Sequence, residues 1–339
     1  MRVPLSLTAL PSTLKPSLTR LTACSLLLGS VLCGPLIRPA AAEVLDNDLP
    51  AYRPTPDVSG SVSCMGSTTM TSVAGIWMGA IKQYHPGIQE KLEVRGSRGA
   101  VDAVIAGEAD FGLLSRSITK AEVEKFEQRF GYPPHVLTCC LEHMAIYVHE
   151  SNPIRSISLQ QIHDVFTGKA KTWGDLGVTG QWATQPILTH GRGDQTGSRV
   201  FLDQQILGNS PHRVRYEHDN NHDLVAAIAE TSEVRGIGYA GLIYKLPGVK
   251  AVAVRRSDES SPVAIDSLAA ASGQYPLMRP LQVVVNQKPD QKLAPAPAEF
   301  LKYVFSRSGQ EDVIKGGFQP ITSGPARVAL DTIGLGRVR

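Results

Sequence analysis

The chain has 339 residues, 34 basic against 31 acidic, a formal net charge of +3, and 42% apolar side chains. The basic excess sits in the first forty-two residues, where Arg2, Lys15, Arg20 and Arg38 face no acidic residue, so the rest carries 30 basic (34 − 4) against 31 acidic groups. A near-neutral body offers no basic face to a polyanion, which argues against nucleic-acid binding, and about three hundred residues exceed one ordinary core and suit two lobes.

The N-terminus has the three parts of an export signal: basic Lys15 and Arg20, an apolar stretch over 21–36, and Ala40-Ala41-Ala42 before Glu43. Residues 1–42 are predicted to be removed after Ala42, which puts the mature chain in the periplasm or outside the cell. Cys24, Ser30, Cys33 and Gly34 interrupt the apolar stretch, which is short for a membrane span. Leu21-Thr22-Ala23-Cys24 resembles a lipoprotein processing box, but the apolar run follows that cysteine instead of preceding it. Residues 43–59, with Pro50, Pro54 and Pro56 and no periodicity, read as a mobile leader.

Beyond the leader, 61–65 reads as a strand. Met70, Val73, Ala74, Trp77, Ala80, Ile81 and Tyr84 then recur at helical spacing. A strand at 92–95, a helical face at Val101, Val104 and Ile105, and a strand at 109–114 continue the alternation, which predicts a parallel sheet. Strands at 144–148, 186–189 and 236–239 enclose helices marked by Leu159, Ile162, Val165 and Phe166, by 197–207, and by Leu224, Val225 and Ile228. A strand at 281–285 and a stripe of Phe300, Leu301, Val304 and Phe305 close the pattern. Three cysteines remain in the mature chain, Cys64, Cys139 and Cys140. Exported chains permit disulfides, so Cys64 bridged to Cys139 or Cys140, or three buried thiols, are both open.

Three places share one design: a strand ends, small hydroxyl residues or glycines follow, and a helix begins. They are Gly66-Ser67-Thr68-Thr69, Gly96-Ser97-Arg98-Gly99 and Gly193-Asp194-Gln195-Thr196-Gly197-Ser198, the last preceded by Arg192. Helix starts leave backbone N–H groups unpaired and carry partial positive charge, so three of them facing one another suit an oxyanion. The same residue types are also ordinary helix caps. His218-Asp219-Asn220-Asn221-His222-Asp223 has metal-like residue types just before a helix, where caps explain it better. No Gly-x-Ser-x-Gly elbow or Cys-x-x-Cys pair is present.

Taken together, Gly66-Ser67-Thr68, Gly96-Ser97, Asp110-Phe111-Gly112, Arg192 through Ser198, Gly236-Ile237-Gly238-Tyr239, Tyr275-Pro276-Leu277 with Arg279-Pro280-Leu281, and Phe318-Gln319-Pro320-Ile321 resemble the periplasmic phosphate-binding proteins of ABC importers. The resemblance spans about 61–321. It implies a two-lobed type II solute-binding fold, each lobe a mixed, mostly parallel sheet flanked by helices, with the ligand cleft between lobes. Lobe 1 is then 60–149 plus 276–339, and lobe 2 is 150–275.

The resemblance further implies that Thr68, the Thr69 backbone, Ser67 and Ser97 face phosphate from lobe 1, and that Arg192, Thr196, Gly197 and Ser198 face it from lobe 2, with Asp194 paired to Arg192. Many members carry an aspartate shortly after the Asp-Phe-Gly strand that accepts the proton of hydrogen phosphate. This chain has Ser115 and Arg116 there, as in another branch of the family, and a hydroxyl can accept as well as donate. The expectation is a monomeric binder of inorganic phosphate or a similar oxyanion that serves an ABC permease in the inner membrane, with no catalytic residue, metal or cofactor. A phosphate sensor or surface-associated binder without an importer, and a phosphatase on the same fold, are the alternatives.

Overall fold

The structure, a computed structural model, describes residues 45–230, 232, 234–266, 270 and 272–336. The export signal and its cleavage point lie outside the described residues. The predicted alternation is present as β1 (Gly60–Gly66), α1 (Thr71–Tyr84), β2 (Ile88–Val94), α2 (Gly96–Ala106) and β3 (Phe111–Leu114), with β1 parallel to both β2 and β3. In α1, Val73, Ala74, Trp77, Met78 and Ile81 form the buried face, as their spacing requires. Trp77 also ties α1 to the C-terminal part of the chain, its Nε1 donating to the Gly309 carbonyl at 2.9 Å.

The next element, α3 (Lys120–Phe130), has one buried residue, Phe126, and so leaves no apolar stripe to read. Its start is written instead as a capping box: Thr119 Oγ1 accepts the Glu122 N–H, and Glu122 accepts the Thr119 N–H.

The strand expected at 144–148 is the second half of a much longer one, β4 (His135–His149). Its first half pairs antiparallel with β10 (Met278–Val285), and its second half with β8 (Gly236–Gly241) and β9 (Val249–Arg255). Between β4 and β9 come β5 (Ser156–Ser158), α4 (Leu159–Phe166), β6 (Leu188–Arg192), α5 (Gly197–Leu202), β7 (Tyr216–His218), α6 (Asn221–Ala229) and β8, with β6 parallel to β7 and β8. The helix read over 197–207 is α5 followed by a π-helical turn over 203–207. After β10, α7 (Pro295–Val304), α8 (Arg307–Lys315), β11 (Gln319–Pro320) and α9 (Ser323–Thr332) pack with the first half of the chain.

Two apolar cores result. One joins Val62, Trp77, Phe111 and Leu137 to Leu281, Phe300 and Val313. The other joins Met144, Tyr147, Ile162, Trp173, Leu224, Tyr239 and Leu277. The change of core falls between Cys140 and Met144 on β4 and between Leu277 and Leu281 on β10. Residues 144–148, which the sequence assigned to the first lobe, therefore pack in the second.

The leader also differs from its expectation. Residues 45–59 form no helix or strand, but Leu45, Tyr52 and Val58 pack against the first core. Tyr52 Oη and Thr55 Oγ1 donate to the Glu299 carboxylate at 2.9 and 2.8 Å, and Asp46 accepts the Ser323 N–H at 2.8 Å. It is a strap held by the Glu299 carboxylate of α7 and the Ser323 N–H of α9, contacts that a periodicity test does not detect. Cys64, Cys139 and Cys140 are buried and form no disulfide among the described residues, so the bridge left open above is not formed.

Candidate functional site

The first strand-end turn is anchored from behind. Ser67 N–H donates to the Leu113 carbonyl of β3 at 2.9 Å, and Ser67 Oγ accepts the Thr69 N–H at 3.1 Å. No side chain caps the start of α1, so the capping reading does not account for these hydroxyls. The half-buried Thr68 hydroxyl makes no hydrogen bond among the described residues, whereas the Thr68 carbonyl accepts from Thr71.

The second turn opens α2, again without a side-chain cap. Ser97 Oγ accepts the Ser115 N–H at 3.1 Å and lies 3.2 Å from Ser115 Oγ, both serines being buried. Arg116, expected as a ligand, is instead paired with Glu122 at 2.6 Å and donates to the Ser97 and Ser117 carbonyls. A guanidinium neutralised in this way braces the Ser97 turn and has little charge to offer an anion. Burial pushes the Glu122 carboxyl up, but the Arg116 hydrogen bond, the Thr119 N–H and the Arg116 charge outweigh it and hold the group below its usual range.

From the other side, Arg192 ends β6 with its side chain 1% exposed. Its Nε donates to the His218 carbonyl at 3.0 Å, Nη2 to the Asp219 carbonyl at 2.8 Å, and Nη1 to Asn221 Oδ1. The segment His218-Asp219-Asn220-Asn221 thus cradles Arg192, while Asn220 caps α6 by accepting the Asp223 N–H. A guanidinium has five N–H groups, so one on each terminal nitrogen remains. Among the described residues no carboxylate forms an ion pair with Arg192.

The expected Arg192–Asp194 pair is absent. Asp194 is exposed and its carboxylate accepts from Gln195 at 3.0 Å, because Arg192 turns toward the carbonyls before α6. Thr196 is also occupied locally: Oγ1 donates to the Gly193 carbonyl at 2.8 Å and accepts the Arg199 N–H at 3.3 Å. It is the cap of α5. Ser198 is buried, and its hydroxyl makes no hydrogen bond among the described residues.

The turns from the two cores meet. A side chain on Gly197 would place its Cβ 2.1 Å from Ser115 Oγ and 2.6 Å from Ser97 Oγ. Arg98 reaches across, its N–H donating to the Gln195 carbonyl at 3.4 Å and its Nη2 to the Asp194 carbonyl at 3.0 Å.

Two buried charged residues behind the first turn escaped sequence reasoning, Glu142 and Arg279. They stand directly opposite each other on β4 and β10, where the core changes. Arg279 Nε donates to Glu142 Oε2 at 2.7 Å, and its Nη2 lies 3.4 Å from Thr69 Oγ1. Its guanidinium carbon is 5.8 Å from the centre of the Phe201 ring on α5. Arg279-Pro280 was visible as a motif, but the partner of that arginine depends on strand register. Tyr244 lies close enough to feel the charges of Glu142, Arg279 and Arg192, and burial pushes its hydroxyl up.

Two α/β cores joined through β4 and β10, with strand-end turns facing each other, define a two-lobed solute-binding fold of type II. The profile of the PBP superfamily domain matches residues 52–308. The phosphate-binding protein PstS of Pseudomonas aeruginosa is 33% identical over 305 residues, covering 87% of this chain and 94% of its own. The protein of that name from Staphylococcus epidermidis is 26% identical over 259 residues, 75% of this chain and 77% of its own. The crystal structure of a putative phosphate ABC transporter substrate-binding protein with bound phosphate, from Clostridium perfringens, shares the fold with a TM-score of 0.64 at 23% identity, over 77% of this chain and all of that one. The chain belongs to the PBP superfamily and, by its likeness to the Pseudomonas protein, to the PstS family within it.

Proposed function

We propose that this protein captures inorganic phosphate, or a tetrahedral oxyanion of the same kind, between its two lobes and delivers it to an ABC importer. The observation that carries the reading is Arg192, a buried guanidinium held by two carbonyls and an amide and in no ion pair with a carboxylate among the described residues. Burying an uncompensated charge costs several kcal/mol, and an anion arriving in the cleft offsets that cost. The names of the relatives in Pseudomonas and Staphylococcus, phosphate-binding protein PstS, support phosphate as the anion.

The ligand set we infer is the two remaining N–H groups of Arg192, the hydroxyls of Thr68, Ser67, Ser97, Ser115 and Ser198, and the backbone at Thr69 and Gly197. Arg116 and Thr196 act by positioning, Arg116 through the Ser97 turn and Thr196 as the cap of α5. Charge-assisted hydrogen bonds contribute about 1.5–3 kcal/mol each, and micromolar affinity needs roughly 8 kcal/mol. Six such donors are sufficient even after ordering costs.

The two lobes hinge where β4 and β10 change core, and an anion that bridges donors from both sides shifts the population toward the closed form. Export with cleavage after Ala42, a monomeric state and recognition by an inner-membrane permease complete the reading. Calorimetric titration of the mature chain, unfolded and refolded to strip carried-over ligand, tests it. Tight binding of phosphate is the expected outcome, and a folded protein that binds no oxyanion would refute it.

A further inference from the structure

Resting on the oxyanion-binding reading above, we propose that Asn221 sets the charge of the site: it is a positioning residue that holds the Arg192 guanidinium as a neutral acceptor and so leaves the positive charge for the anion. The strands β6 and β7 lie parallel with Arg192 beside His218, which brings the residues that follow His218 up to the guanidinium. Asn221 is 2% exposed, and its Oδ1 accepts from Arg192 Nη1. The other acceptors of that side chain are the backbone carbonyls of His218 and Asp219. Asn221 alone among these meets the guanidinium with a side chain, so it is the contact whose charge depends on the residue chosen.

The direction of the amide follows from its neighbours. A guanidinium only donates, so Arg192 fixes Oδ1 on its own side and sends Nδ2 away from it, and Asn221 is also hydrogen-bonded to Tyr244. The Tyr244 oxygen therefore accepts, and burial keeps its own proton on the ring hydroxyl. The relay from Arg192 through Asn221 to Tyr244 thus carries no charge beyond the guanidinium. The other charged or titratable groups that Arg192 feels are Tyr239, Arg279 and Asp219. Asp219 is exposed, and it meets Arg192 through its backbone carbonyl.

Local structure does not account for an asparagine here. Position 221 opens α6, with Asn220 as the cap before it, and a helix start favours an acidic side chain through the partial positive charge of its N–H groups. Aspartate has the same shape, would pair with the buried guanidinium, and would accept the Tyr244 O–H once that hydroxyl turned, so no hydrogen bond would be lost. Helix and buried cation alike are more stable with aspartate, because a buried charge without a partner is strongly destabilising. What aspartate removes is the unbalanced charge that draws an anion into the cleft, since its carboxylate would occupy the guanidinium in the anion's place and repel the anion as well.

The test is Asn221→Asp in the mature protein, stripped of ligand by unfolding and refolding, with phosphate affinity and the melting temperature of the ligand-free protein both measured. N221D is expected to weaken phosphate by roughly a hundredfold or more and to melt higher than the wild type. Damage to the cleft lowers both quantities, whereas a supplied counter-charge moves them in opposite directions. The gain in melting temperature is further expected to become a loss when the same change is made beside Arg192→Gln, where the new carboxylate has no cation to pair with. An N221D that binds phosphate within tenfold of the wild type, melts lower than it or fails to fold overturns the proposal. So does a gain in melting temperature that persists in R192Q. A folded wild type that binds no oxyanion overturns the oxyanion-binding reading itself, and that result is told apart because it appears before any substitution is made.

Discussion

The Arg192 guanidinium loses its water to three acceptors, none of them charged. Burial draws its pKa down, yet an arginine keeps its proton in a protein, so the cation persists and is compensated from outside. Arg192→Ala is expected to weaken phosphate binding by about 2–5 kcal/mol, read by calorimetry, and an unchanged affinity would remove Arg192 from the site. Gly197 makes a separate statement about closure. Its α-carbon abuts Ser97 and Ser115 across the cleft, so Gly197→Ala should weaken phosphate at least tenfold, about 1.4 kcal/mol. Because that overlap exists only when the lobes meet, the melting temperature of the ligand-free protein should not change.

At the scale of elements, the Ser97 turn depends on a helix that touches no ligand. The Glu122 carboxylate caps α3 and pairs with the buried Arg116, which in turn holds the Ser97 carbonyl. Glu122→Gln keeps most of the cap but leaves a buried arginine without its counter-charge, so thermal stability should fall by about 3–5 kcal/mol, with a smaller loss of affinity. The folded pKa of Glu122 lies below its ordinary 4.5, so the unfolded chain takes up this proton first as pH falls. The contribution of the pair is therefore full above about 4.5 and fades as pH drops through the folded value. Acid unfolding curves of wild type and E122Q should converge at low pH, and parallel curves would contradict the pairing.

For the molecule as a whole, Arg98 with the carbonyls of Asp194 and Gln195 links one lobe to the other, and β4 and β10 pass between the cores as paired strands. Small-angle scattering should show the radius of gyration contracting when phosphate is added to the stripped protein, and no contraction for R192A at the same concentration. A wild type whose dimensions ignore phosphate would rule out hinge closure as the response to binding.

How far the sequence reached follows from the range of each signal. Periodicity registers a helix or strand that buries one face, so α1, β1 and α4 were legible. It missed α3, whose single buried residue leaves no stripe, and it shortened β4. Three strand-end turns and Arg192 were legible because helix starts and anion sites draw on the same small residue types. The turn chemistry did not reveal that Thr196 is occupied by capping, that Arg116 is neutralised by Glu122, or that Asp194 points to solvent. The chain by itself determined the order of strands and helices and the donors offered at each turn, because those rest on local conformation and composition. Only the tertiary structure decided which charges are paired and which are left for a ligand: the partners of Arg192 and Arg279 are set by which strands lie side by side and in what register, and no local pattern encodes that.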